Sequence, residues 1–322
     1  MPHVPDPSTV PADAPGSARR FAGRGLNYNA RRRRAGYLLV MPALIVMAAV
    51  LVFPIAMSIV VSFFETTTSD FGFNEFVGID NYTKIFADEI FQTAVRHTIY
   101  WMVAEVIVVV AASVGVALLL NTNVGRPAIF RIILLVPWAL SPVANAVLWK
   151  WIYNANYGIL NYLLMAFGIV DEPQIWLGDE RFALNALLLA EIWKSIPFIA
   201  LLMLAGMRNV PNILYRAARL DGASTWQTFR HITLPQLRTT ILICVVLQSI
   251  WALKSFDLIY VLTRGGPIDA TTMLNYLSYR ISFQFGDIGL GAAVADILFV
   301  FMFVLALGYL RFLQSPENRR TA

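Results

Sequence analysis

Glu191, Lys194, Ser195 and Phe198 stand at i, i+3, i+4 and i+7 in an otherwise apolar stretch, so a helix there carries all four on one face. Gln248, Trp251, Ala252 and Ser255 repeat that spacing, and Ser141, Asn145, Leu148 and Trp149 form a third polar stripe. Such faces suit non-covalent recognition: hydroxyls and amides bond a hydroxyl-rich solute while rings cover its apolar faces. Bond-making is not supported. The sequence contains no His-Glu-x-x-His pair and no Gly-x-x-x-x-Gly-Lys-Ser/Thr phosphate loop, and Gly222-Ala-Ser224 reads as a helix cap. Cys244 is the single cysteine, which leaves no disulfide and no thiolate metal site. We therefore expect no catalytic residue, no metal and no cofactor on this chain.

The charged members of these stripes lie in apolar surroundings, where an ionisable group costs roughly 3 kcal/mol or more against lipid and so turns inward. Glu191 with Lys194, and Lys254 with Asp257, are spaced to pair and hold helices together; the same groups are equally suited to line a transport path. Glu105 and Asp296 have no partner nearby in sequence, so each is either a proton relay or a buried group bonded to another helix. Counting the path reading, the candidates are Asn145, Trp149, Glu191, Lys194, Ser195, Phe198, Gln248, Trp251 and Ser255.

Elements that position these groups follow from composition. Of 322 residues, 58% are hydrophobic and 14% charged, against about 25% charged in soluble domains, which makes a bilayer the solvent. Residues 37–64 run 28 positions without a charge, more than the roughly 20 that span about 30 Å of hydrocarbon. Further spans are expected at 94–120, 129–152, 182–205, 239–262 and 291–312, with Pro137 and Pro142 bending the third. Residues 1–36 read as a disordered basic tail and 313–322 as a second tail. Six crossings put both termini on one side. Seventeen of the 25 Lys and Arg fall on that side and five on the other, so the positive-inside rule makes both termini cytoplasmic. The outer loops, 65–93, 153–181 and 263–290, are rich in aromatics, which fits either interfacial anchoring or a surface for an external partner.

The inner loop 206–238 is too patterned for a connector. Pro211 suits a helix start, Ile213, Leu214, Ala217 and Ala218 form an apolar stripe, and Gly222 ends the helix near Asp221. Ser224-Thr-Trp-Gln227 fits a capping box for a second helix that carries Trp226, Phe229 and His231 and ends before Pro235. Five arginines would suit lipid phosphates, but the small patch Ala217, Ala218, Gly222 and Ala223 favours close packing against protein.

Ala217-Ala218, Gly222, Ile232 and Leu234-Pro235 stand in the register of the Glu-Ala-Ala loop of binding-protein-dependent ABC importer permeases, which this segment resembles. Arg216 takes the place of the family's glutamate. Phe256-Asp257, Thr263, Gly265-Gly266-Pro267, Tyr279, Phe283 and Gly291 to Ala295 make the chain similar to the carbohydrate-uptake permeases of the maltose and glycerol-phosphate type. The resemblance implies an all-α integral membrane protein of six transmembrane helices in a bacterial plasma membrane, with a cytoplasmic helix-bend-helix coupling loop. It implies that Arg216, Ala217, Ala218, Asp221, Gly222, Ala223, Ile232, Leu234 and Pro235 meet an ATPase. Implied partners are a second homologous permease, two copies of a cytoplasmic ATPase that hold ATP and magnesium, an extracytoplasmic sugar-binding protein, a sugar such as trehalose or maltose, and lipid, with no nucleic acid. An ion-coupled secondary transporter, an importer of glycerol phosphate, an intramembrane enzyme and a membrane scaffold are the competing readings.

Overall fold

A computed structural model describes residues 37–69, 72, 74–121 and 127–314. The expectations for 1–36, for Arg126 and for the last eight residues lie outside the described residues. The chain divides into two compact units, Met1–Met57 and Ser58–Ala322. In the first, the described residues from Tyr37 on are helical, the start of α1 (Tyr37–Val61).

In the second unit a short hairpin, β1 (Phe64–Glu65) and β2 (Glu75–Phe76), precedes α2 (Asp80–Ala87) and the long α3 (Glu89–Asn121). Then come α4 (Pro127–Ala139), α5 (Pro142–Ile152), α6 (Ile159–Ala166) and α7 (Ala183–Arg208). Next are α8 (Asn212–Leu220), α9 (225–236), α10 (Arg238–Leu253), α11 (Asp257–Leu262), α12 (Leu274–Tyr279) and α13 (Ile288–Gln314). Among the described residues five helices are long and apolar enough to cross a membrane, α10 and α11 together counting as one. A bent pair, Ile132–Ala139 with Pro142–Ile152, supplies a sixth. The fold is an all-α membrane fold of six spans, as expected, with the third broken rather than curved.

The break in span three has a local cause. The two halves meet at 96°. Proline disfavours helical geometry in the residue before it, and Ser141 accordingly lies extended at ψ 152°. Its hydroxyl accepts from the Ala144 N–H at 3.2 Å and so caps α5, with Pro142 in the first turn. Pro137 sits inside α4, so Pro142 makes the break.

Two other prolines are absorbed differently. Residues Ala48–Val52 and Phe229–Thr233 form π-helical turns, and Pro54 and Pro235 each follow two positions after them. The wider turn relieves the carbonyl four residues back, which a proline ring would otherwise strike and could not bond. Hence the second loop helix runs on through Pro235 instead of ending before it.

The described residues of 64–76 and those of 286–291, which flank the bundle, are structured and tied together. Thr68 N–H donates to the Gly286 carbonyl, and the Ile288 and Gly289 N–H groups donate to Thr66. Gly289 allows this approach, since an added Cβ would lie 2.2 Å from the Phe64 carbonyl oxygen, while Gly291 lets α13 close on Ser282, whose Oγ would lie 1.9 Å from an added Cβ. The core is built from α3, α7, α10 and α13, with Trp101, Leu187, Ile199 and Met203 among its fully buried side chains.

Candidate solute cavity and coupling loop

Span five is interrupted between α10 and α11. The carbonyls freed there are met by Asn275, whose Nδ2 donates to the Ser255 oxygen at 2.9 Å and the Leu253 oxygen at 3.5 Å. Because the helix stops, the i, i+3 relation of Lys254 and Asp257 is lost, and the two form no ion pair, while Glu191 and Lys194 on the intact α7 stand 4.0 Å apart.

The breaks in spans three and five lie beside α7 and, together with it, line a cavity of about 240 Å³. Trp138 and Pro142 line it from span three, Glu191, Lys194 and Ser195 from α7, and Trp251 to Leu258 from span five, of which Trp251 and 254–258 face it. Two carboxylates, Glu191 and Asp257, and two amines, Lys194 and Lys254, thus line one cavity from α7 and span five. On one side Phe198 lies between Trp138, stacked at 4.9 Å, and Trp251 at 5.4 Å. An open, partly apolar hollow with converging donors and acceptors suits a small polar solute with apolar ring faces.

Five path candidates, Glu191, Lys194, Ser195, Trp251 and Ser255, line this cavity, and Phe198 stacks behind two of its rings. The other three lie elsewhere. Asn145 is fully buried against α7, its Nδ2 donating to the Ala190 carbonyl at 3.5 Å. Trp149 packs on Tyr153 at 5.0 Å and Trp193 at 5.8 Å. Gln248 is fully buried and donates to Glu105 Oε1 at 2.6 Å, which joins α10 to α3. Asp296 likewise finds partners on other elements, accepting from Ser58 at 3.0 Å and Tyr82 at 3.3 Å. Spacing missed Trp138, Phe256 and Leu258. Trp138 is set beside the cavity by a break that helical periodicity does not encode; Lys254 and Asp257 carried a signal, being charges in an apolar run.

On the loop, α8 ends as its composition requires. Gly222 has φ +71°, and the Ala223 N–H reaches back to the Ala218 carbonyl at 2.9 Å. The capping box forms: Gln227 N–H donates to Ser224 Oγ at 3.2 Å, and Ser224 N–H to Gln227 Oε1 at 2.7 Å. Between α8 and α9 lies a groove of about 480 Å³ whose wall includes Ala217, Ala218, Asp221, Gly222, Ala223 and Ile232. Leu234 and Pro235 belong to a separate apolar patch with Arg238 and Ile241, and Arg216 is exposed. The surface of α8 and α9 also exposes Ile213, Leu220 and Trp226 at 66, 89 and 65%.

The sequence of residues 127–317, more than half the chain, matches the family described as the inner membrane component of binding-protein-dependent transport systems. The chain belongs to that family. Its curated relatives span nearly the whole length: the trehalose/maltose transport system permease protein MalF of Thermococcus litoralis is 34% identical, covering 87% of this chain and 94% of the relative. The sulfoquinovosyl glycerol transport system permease protein SmoG of Agrobacterium fabrum is 33% identical over 88% of this chain and 92% of the relative. The lactose transport system permease protein LacF of Rhizobium radiobacter is 30% identical over 88% and 95%. Among solved structures, a chain of a bacterial ABC transporter that imports the acidic polysaccharide alginate superposes with a TM-score of 0.78 at 22% identity, over 92% of this chain and 98% of that one. That likeness is one of fold. As a member of this family the chain is a multi-pass inner membrane permease, a transport subunit.

Proposed function

We propose that this permease moves a neutral disaccharide, with trehalose and maltose the leading candidates, through the membrane into the cytoplasm. The observation that carries the reading is the cavity between the broken spans, where Glu191, Lys194, Ser195 and Ser255 offer hydrogen bonds beside the rings of Trp138 and Trp251. Its two lysines are balanced by two carboxylates, which favours an uncharged sugar over glycerol phosphate or a sulfonated sugar. Relatives named for trehalose and maltose and for lactose support the same class.

The energy source is ATP hydrolysed on two copies of a separate subunit, which also hold the magnesium. That ATPase seats on the surface made by α8 and α9 on the cytoplasmic side, the side that also holds both chain termini. A second homologous permease completes the membrane pathway, and an extracytoplasmic sugar-binding protein delivers cargo to the structured outer segments. A solved relative in complex with its alginate-loaded periplasmic protein supports that last partner.

The test is to co-purify the chain with ATPases and binding proteins encoded beside it and to measure ATP hydrolysis with and without maltose or trehalose. A stable complex whose hydrolysis rises with loaded binding protein is the expected result. Absence of both the complex and the stimulation would refute the importer reading.

A further inference from the structure

The segment between spans five and six carries a row of aromatic rings that the cavity does not explain. Phe256 forms part of the cavity wall and stacks on Tyr260, with ring centres 5.5 Å apart. Tyr279 meets both edge-on, at 5.2 Å from Phe256 and 5.5 Å from Tyr260. Phe283 continues the row, 5.3 Å from Tyr279, and is 70% exposed. The rings therefore form an unbroken series of contacts from the cavity wall to the surface.

Neither ordinary role of aromatics accounts for it. A core cluster would bury Phe283, as the neighbouring Tyr276 is buried at 1%. Interfacial anchors point singly toward lipid headgroups and need neither touch one another nor end at a polar hollow. The chemistry of the row matches one class of ligand. One face of a pyranose presents polarised C–H groups, and the negative face of an aromatic ring attracts them without any directional bond that must break before the solute moves on. Arg264, whose guanidinium lies 6.0 Å over the Tyr260 ring, adds hydrogen-bond donors along the same row.

We propose that Phe283, Tyr279 and Phe256, with Tyr260 and Arg264 alongside, form a capture subsite that takes a saccharide ring at the outer mouth and passes it to the cavity. The proposal rests on the reading of the chain as a sugar importer. A released sugar that finds no such subsite escapes outward, so the row sets how many sugars enter per ATP hydrolysed.

The experiment uses the complete transporter in proteoliposomes, with radiolabelled maltose and trehalose as probes, and reads sugar taken up per ATP hydrolysed at saturating binding protein. Tyr279→Leu and Phe283→Leu should each lower that ratio by about fivefold, and Tyr279→Phe, which keeps the ring, by no more than about twofold. Phe283 is exposed, so its variant tests the row without disturbing the core. An unchanged ratio in both leucine variants overturns the subsite. A parallel fall in hydrolysis and uptake with the ratio preserved also overturns it, because the rings then serve contact with the binding protein. If the unaltered transporter takes up neither sugar, the cargo reading fails first and the subsite with it.

Discussion

Ser195 and Gln248 look alike in the sequence, each a polar residue on a helical face, yet they sit in different environments. Ser195 faces the cavity, whereas Gln248 is sealed between helices with Glu105. Ser195→Ala should therefore lower the rate of sugar uptake by about three- to tenfold, the worth of one hydrogen bond, while leaving thermal unfolding in detergent nearly unchanged. Gln248→Leu should do the reverse. It leaves the buried Glu105 carboxyl without its donor, a loss of about 1–3 kcal/mol that lowers the unfolding midpoint. Equal unfolding temperatures for Gln248→Leu and the parent would show that the Glu105 contact holds nothing. Both faces were legible as polar stripes. Which stripe faced the cavity and which was sealed against protein was not, because a 3.6-residue period fixes side without fixing what stands opposite.

For the elements, the loop was the most readable part of the chain. Gly222 and the Ser224–Gln227 box act within a few residues, so local sequence sets them without help from the rest of the fold. An added Cβ at Gly222 would meet nothing within 4 Å, so Gly222→Ala costs only the left-handed backbone, about 1–2 kcal/mol, and should show in thermal unfolding. Ala217 is exposed on the groove wall, so Ala217→Glu leaves the loop folded. It should abolish stimulation of the ATPase by loaded binding protein while the permease still inserts in the membrane. Normal stimulation in that variant would remove the groove from the docking surface. The end of α9 was misread for an equally local reason. Proline usually stops a helix, and only the π-helical turn before Pro235 lets this one continue.

Over the whole molecule, uptake should persist when a protonophore collapses the proton gradient and should stop when the ATPase is omitted. Uptake that follows the gradient would instead favour an ion-coupled carrier and would give Asp296, held by Ser58 and Tyr82, a different meaning. Composition alone determined the membrane solvent and the span count, since burying an apolar run of about 20 residues in a bilayer needs no knowledge of its neighbours. Caps, the bend at Gly222 and the break before Pro142 were likewise set by residues adjacent in the chain. Tertiary structure decided where those breaks lie relative to one another. Only when spans three and five fold against α7 do their interruptions meet and open a cavity, and only then does Phe256 join that cavity to Tyr279 and Phe283. Tyr279 and Phe283 are one helical turn apart, but the cavity lining and the Phe256–Tyr279 contact link separate elements, and their geometry depends on how whole helices pack, which no local period records.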